Sequence, residues 1–203
     1  MEFREILKRR RMVRSYTGEP VADESLERIL GTIRRAPTAG FSQGQRLLAV
    51  TDAETRRQIA EIAGEADWVA RGNEPWISVA PVHLFQLTRE ADYHERYQRA
   101  DKLAVTGGVE VEWPVPYWFV DAGALMSLLL LAVIDEGLAA GFFGLVPADG
   151  ARVKRLLGVP EELALVGALT IGHPAADPEA SARASRMTQR RKPLEELVRR
   201  ERW

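Results

Sequence analysis

Apolar residues along this chain fall into two kinds of run. Phe3, Ile6 and Leu7, continued by Arg10, sit at i, i+3, i+4 and i+7, so residues 2–10 are predicted to form a short amphipathic helix. Leu26, Ile29, Leu30 and Ile33 repeat that spacing behind Asp23, a predicted N-cap, and Pro37 ends the helix. A short strand is predicted at Leu47–Val50, then a helix from an Asp52 cap through Ala63, then loop over 64–76. Ile77 to Leu87 reads as a strand, with Pro81 implying an edge or a bulge. Residues 89–116 hold many charges and no sustained apolar period, and read as a mobile excursion with a short helix near Tyr93–Arg99.

The longest predicted helix runs from Trp118 to Glu136. Its middle is apolar almost all round, which predicts burial on most sides, and Gly137-Leu138 fits a left-handed C-terminal cap. A strand at Ala140–Val146, a helix capped by Asp149 and ending at Gly158, and a buried strand at Leu163–Ile171 follow. A polar tail with a final helix around Leu194–Arg200 closes the pattern. Strands and helices do not alternate in equal units, and no Gly-x-Gly-x-x-Gly follows a strand. The expectation is a mixed α+β fold built around a central helix, not a dinucleotide-binding fold of that type.

Length and composition fit one domain with a sizeable core: 203 residues, 46% hydrophobic and 28% charged. Cysteine is absent, which excludes thiol chemistry and thiolate metal sites and suits a reducing cytoplasm. His83, His94 and His173 lack metal-ligand spacing, so no metal is expected. A net charge of −1 gives no general attraction to nucleic acid. Met1–Glu5 has no apolar run, so no signal peptide is expected; Ala122–Ile134 is shorter than a membrane span, so none is expected either.

Three segments carry candidate chemistry. Arg10, Arg11 and Arg14 follow a helix; guanidinium groups grip phosphate in pairs, although such a cluster also occurs as a solvated basic face. Pro37-Thr38-Ala39-Gly40 is a run of small residues that lets backbone approach a flat ligand, or an ordinary helix-ending loop. Gly141-Phe142-Phe143-Gly144 offers exposed backbone N–H groups beside aromatics, or two core phenylalanines.

In this order the segments resemble the FMN-dependent nitroreductase family over most of the chain. Arg10-Arg11-Met12-Val13-Arg14-Ser15-Tyr16 is similar to its opening Arg-Arg-Ser-x-Arg-x-Phe. Ala36-Pro37-Thr38-Ala39-Gly40-Phe41-Ser42-Gln43-Gly44 is similar to its Ala-Pro-Ser-x-x-Asn-x-Gln-Pro-Trp. Asp121-Ala122-Gly123 opens the long helix, Glu136 to Gly144 resembles the family's Gly-Leu-Gly-x-x-x-x-Gly, and Gly158-Val159-Pro160, Ile171-Gly172-His173-Pro174 and Arg191-Lys192-Pro193-Leu194 follow in order. Met12, Phe41, Gly44 and Arg46 depart from the family pattern.

The resemblance implies a single domain over 1–203, with a mainly antiparallel sheet flanked by helices, a candidate lid at 89–118 and a C-terminal extension at 175–203. It implies FMN as cofactor, NAD(P)H as co-substrate and a homodimer with flavin sites at the interface. Arg10, Arg11, Met12 and Arg14, with Arg190 and Arg191, would hold the phosphate side. Pro37, Thr38, Ala39 and Gly40 would arrive from the partner, and backbone at Phe142, Phe143 and Gly144 would face the ring. Flavin N5 carries the chemistry, so no side chain is assigned as catalytic. The acceptor would be a flat molecule such as a nitroaromatic or quinone, in a pocket with Phe41, Trp113, Tyr117 and Trp118; His94 is a candidate proton donor. A flavin-dependent dehalogenase or flavin-cleaving enzyme of the same fold, with lid residues such as Glu95, Tyr97 and Lys102, is the alternative. A flavin-sequestering protein without turnover is a third reading. A basic tail over Arg183–Arg202 that also holds Glu195, Glu196 and Glu201 makes nucleic-acid binding the least favoured.

Overall fold

The computed structural model describes residues 1–176 and 191–203. Four strands, β1 (Gln45–Val50), β2 (Val82–Thr88), β3 (Ala139–Phe143) and β4 (Ala164–Gly172), form one antiparallel sheet in the order β1-β2-β4-β3. Every residue of β2 is buried, because the sheet is covered on both faces. Val82 and Leu84 of β2, with Leu169 and Ile171 of β4, pack under helices α2 (Asp23–Gly31) and α7 (Tyr117–Asp135). Phe85, Ala168 and Phe143 face the other way, toward α3 (Ala53–Ile62) and α8 (Pro147–Leu156). This period-two split is what a strand buried on both sides requires.

α7 begins one residue before the expected start and is long and apolar enough, by length and composition, to cross a membrane. One face packs as a core helix does, with Leu125, Leu129 and Val133 fully buried against the sheet, but Val120, Gly123 and Ser127 are exposed, so the expected burial on most sides is not met within one chain. Gly137, at φ 75°, closes it with the expected left-handed cap. The Leu138 N–H donates to Val133 O and the Gly137 N–H to Ile134 O, each at 3.0 Å.

The structure corrects several sequence-based boundaries. Residues 64–76 are not all loop, because α4 spans Glu65–Ala70. The strand predicted from Ile77 begins only at Val82, and it is central, not an edge; Pro81 stands just before it, where its missing N–H costs no ladder bond. Asp23 lies inside α2, behind Ala22. α8 opens on Pro147, whose fixed φ suits a first helical position, and Asp149 pairs with Arg152 instead of capping. The last helix, α9, is shorter than expected, Leu194–Leu197.

Residues 76–80 run through the core without a ladder, so side chains satisfy their backbone. The buried Glu65 carboxylate accepts the N–H groups of Trp76 (2.7 Å), Ile77 (2.5 Å) and Ser78 (3.2 Å). Arg56 donates to the carbonyls of Ser78 (3.1 Å) and Ala80 (2.5 Å). His83 is completely buried, and burial pushes its imidazole down to about 4, so the ring is neutral and Nε2 donates to Ile77 O at 2.7 Å.

The 89–118 excursion is built, not featureless. α5 (Ala91–Tyr97) and α6 (Ala100–Leu103) are followed by a strap whose Glu110 is a hub. Its carboxylate accepts from Trp113 Nε1 (2.9 Å) and Gln98 Nε2 (3.0 Å) and meets His94 Nδ1 at 2.5 Å. Trp113 lies against Tyr93, His94, Tyr97, Tyr117 and Trp118, with ring centroids 4.6–6.2 Å apart.

Two outcomes are expected from these contacts. Glu65→Ala leaves two buried N–H groups and one half-buried N–H without an acceptor and should cost about 3 kcal/mol or more in urea unfolding, with Glu65→Gln in between. The strap should be pH-sensitive. The Glu110 hydrogen bond raises the His94 pKa, while bonds from Trp113 and Gln98, then His94, hold Glu110 down at about 2. The histidine contribution is complete below its unfolded value of about 6.5 and is lost as pH rises through the raised folded value. The Glu110 contribution is complete above the ordinary 4.5 and is lost only as pH falls toward 2. The melting-temperature gap between wild type and His94→Ala should therefore narrow as pH is raised from about 6 to about 9.

Candidate functional site

Residues 10–14 leave the helix α1 (Phe3–Arg9) and run beside the outer edge of β3. The Val13 N–H donates to Ala140 O at 2.9 Å, and a Cβ at Gly141 would collide with the Val13 carbonyl, so glycine is what admits the segment. Tyr16 fastens its far end: its buried hydroxyl lies 2.9 Å from Val13 O and 2.8 Å from Thr170 Oγ1. Two of the expected segments, the arginine cluster and the Gly-Phe-Phe-Gly strand end, are therefore neighbours.

Within that pair the side chains divide. Arg14 lies over the Trp76 ring, 5.3 Å from its centroid. Arg10 is half-buried, and its guanidinium has no hydrogen-bond or ion-pair partner among the described residues. Arg11 and Lys8 line a recess of about 430 Å³ whose floor includes Val13, Leu138 and Ala139. Met12 packs on the α7-side core. The Phe143 ring sits among Trp76, His83 and Phe85, and the Phe142 ring covers Gly167, so both are packed into the fold and only backbone is available to a ligand there. A Cβ at Gly144 would meet open space. Arg191 is exposed, and Arg190 lies outside the described residues.

The small-residue loop is elsewhere. It leads into β1, while residues 10–14 flank β3, so the two stand at opposite edges of a sheet about 14 Å across by strand spacing. The Ala39 N–H donates to Asp121 at the start of α7 (2.8 Å), whereas Arg11 and Val13 lie by Ile134, about 20 Å further along the helix. One chain does not bring all the expected cofactor contacts together.

The loop itself is tightly specified. Gly40, Phe41 and Gln43 have φ of 59°, 60° and 54°, a region costly for the two residues that are not glycine. Thr38 Oγ1 accepts the Gln43 N–H at 3.1 Å, and Ser42 Oγ donates to Ala39 O at 2.6 Å. Phe41 is left 71% exposed and lines a recess of about 620 Å³ with Ser42, Arg46, Arg96 and Arg99. Trp113, Tyr117 and Trp118 are not in that lining; they pack on one another and on α5. Sequence reasoning missed Asp121 as the holder of the loop, Glu65 as the anchor below Trp76, and the burial of Tyr93. An acid inside an otherwise apolar helix was the available signal for the first.

The nitroreductase family model matches residues 7–173. The chain is 32% identical over 186 residues to the FMN reductase (NAD(P)H) of Bacillus subtilis, covering 88% of this chain and 67% of that protein; it thus spans about two thirds of that relative's length. It is 26% identical over 207 residues to an iodotyrosine deiodinase of Nematostella vectensis, covering 97% of this chain and 74% of that one. The solved structure of a hypothetical oxidoreductase from Bacillus subtilis matches with a TM-score of 0.71 at 29% identity, over 98% of this chain and 73% of that one. The match begins within α1 and ends at His173, so it takes in every strand of the sheet, and the chain belongs to the nitroreductase family.

Proposed function

We propose that this chain is an FMN-dependent oxidoreductase that uses NAD(P)H and works as a homodimer, with flavin sites at the interface. The observation that carries this reading is the pair Arg10 and Arg14 beside β3. Neither guanidinium has an acid partner among the described residues, and Gly144 leaves space at the strand end. A half-buried cation without a counter-ion suits a phosphate ester, which guanidinium binds bidentately. These residues fit FMN, as do the family and the FMN reductase relative.

Bound there, FMN supplies hydride transfer between NAD(P)H and an acceptor. The chain supplies placement and charge. Arg10, Arg11 and Arg14, joined by Arg191 and Arg190, hold the phosphate and ring edge, and Met12 contributes backbone. Backbone N–H groups at Phe142–Gly144 face the ring. Pro37, Thr38, Ala39 and Gly40 come from a second copy, since within one chain they stand at the opposite sheet edge. The exposed stripe Val120, Gly123 and Ser127 on α7, with Phe119 beside it, offers the packing face. Phe41 and the Trp113, Tyr117 and Trp118 wall favour a flat acceptor such as a quinone or nitroaromatic, with residues 89–118 as a lid.

A second reading has support of its own. The deiodinase relative covers nearly all of this chain. The lid presents an exposed Glu95 and a Lys102 ammonium 4.9 Å from the Tyr97 ring centre, groups suited to an amino-acid zwitterion.

The test is spectroscopic. Purified protein should take up FMN, lose the flavin absorbance with NAD(P)H under nitrogen, and regain it with a quinone; release of halide from a halotyrosine would favour the second reading. Arg10→Ala and Arg14→Ala should each weaken FMN binding about 10- to 100-fold, the worth of a charge-assisted hydrogen bond. Protein that binds no flavin would end both readings.

A further inference from the structure

One face of α5 is moulded to the loop that precedes β1. Tyr93, Arg96 and Tyr97, at i, i+3 and i+4, each touch that loop, and Arg89, just before the helix, touches it through its backbone. The Arg89 N–H donates to Gly44 O at 2.8 Å, and Arg96 Nε donates to Gly40 O at 2.8 Å. A Cβ at Gly44 would come within 2.5 Å of the Tyr93 ring, and one at Gly40 within 2.6 Å of the Tyr97 ring. The departure from the family pattern at Gly44 is thus matched by a tyrosine that needs the room.

The polar end of Tyr93 completes the fit. Tyr93 is fully buried, and burial raises its pKa far above the ordinary value, so the hydroxyl stays protonated. It accepts from Gln45 Nε2 at 3.0 Å and donates to Asp121 Oδ2 at 2.8 Å. The same oxygen accepts the Ala39 N–H at 2.8 Å. One carboxylate oxygen therefore holds both the loop backbone and the helix that carries the aromatic wall, since Trp113 leans on Tyr93 and Tyr97.

We propose that Tyr93 and Asp121 are positioning residues that join the Ala39–Gly44 loop to the α5 wall, so that the cofactor-facing loop and the acceptor-facing wall keep one register. The inference rests on the reading that this loop faces a flavin. In a bare helix-ending loop, the carboxylate would serve the Ala39 N–H alone. Here Tyr93 consumes part of its capacity and orients it, so loss of the tyrosine hydroxyl is felt at Ala39, a residue Tyr93 does not bond.

Amide hydrogen exchange of flavin-free protein tests this directly, with Leu84 of the buried strand β2 as the reference. Asp121→Asn should speed exchange at Ala39 about tenfold and Tyr93→Phe, which keeps the ring, about threefold, with Leu84 unchanged. The double variant should be no faster at Ala39 than Asp121→Asn alone, because the tyrosine acts through the carboxylate. FMN dissociation constants should follow the same order. An unchanged Ala39 rate in Tyr93→Phe, multiplying effects in the double variant, or parallel acceleration at Leu84 would each overturn the proposal. If wild-type protein takes up no FMN, the flavin reading falls, and the exchange pattern still decides whether Tyr93 and Asp121 join the loop to the wall.

Discussion

All seven side chains of β2 are buried, and a strand with no solvent face must be covered twice. That single demand arranges the rest of the molecule. α2 and α7 close one side of the sheet, and α3 and α8 close the other. Because β2 and β4 occupy the middle, the two edges fall to β1 and β3, and the segments with candidate chemistry attach to those edges. Both edge attachments depend on a close backbone approach: Gly141 admits Val13 on one side, and Gly44 admits the Tyr93 ring on the other.

The interior is not purely apolar, and its polar groups share one logic. Two irregular stretches beside the core each rest on an acidic side chain that takes several donors. Glu65 does this for residues 76–78, and Asp121 does it for Ala39 and Tyr93. A carboxylate offers more lone pairs than any other short side chain, so it can satisfy backbone where no strand partner exists. Below Arg14 the anchoring continues in series, from Glu65 to the Trp76 backbone and from the Trp76 ring to the guanidinium above it.

Helices with strong periodicity were legible in the sequence. α3 and α7 fall within a residue of expectation, α2 ends at Gly31 with a 3-10 turn over Thr32–Arg35 filling the stretch up to Pro37, and the Gly137 cap was readable because a glycine before an apolar residue at a helix end has one common use. The start of β2 was not legible, since Ile77 to Ala80 are as apolar as the strand that follows; only Glu65 and Arg56, far away in sequence, show why they bend. The excursion at 89–118 lacked an apolar period because its order comes from rings and a shared carboxylate rather than from an aliphatic stripe. At the candidate site, the arginine cluster and the small-residue loop were visible as residue types. Their separation to opposite sheet edges was not, because edge position is a property of strand order and leaves no local mark.

α7 also bears on how the chain is made. Its apolar face is covered by α2 and β2, which precede it, and by β3 and β4, which follow it. During synthesis the helix therefore leaves the ribosome with the part of its cover that β3 and β4 supply still unmade. Until Leu169 and Ile171 are translated, a nineteen-residue apolar rod stands partly open to other chains and to chaperones. Leu169 and Ile171 are the last residues in the chain to join that buried cluster, so the cover of α7 is complete only once β4 has been made.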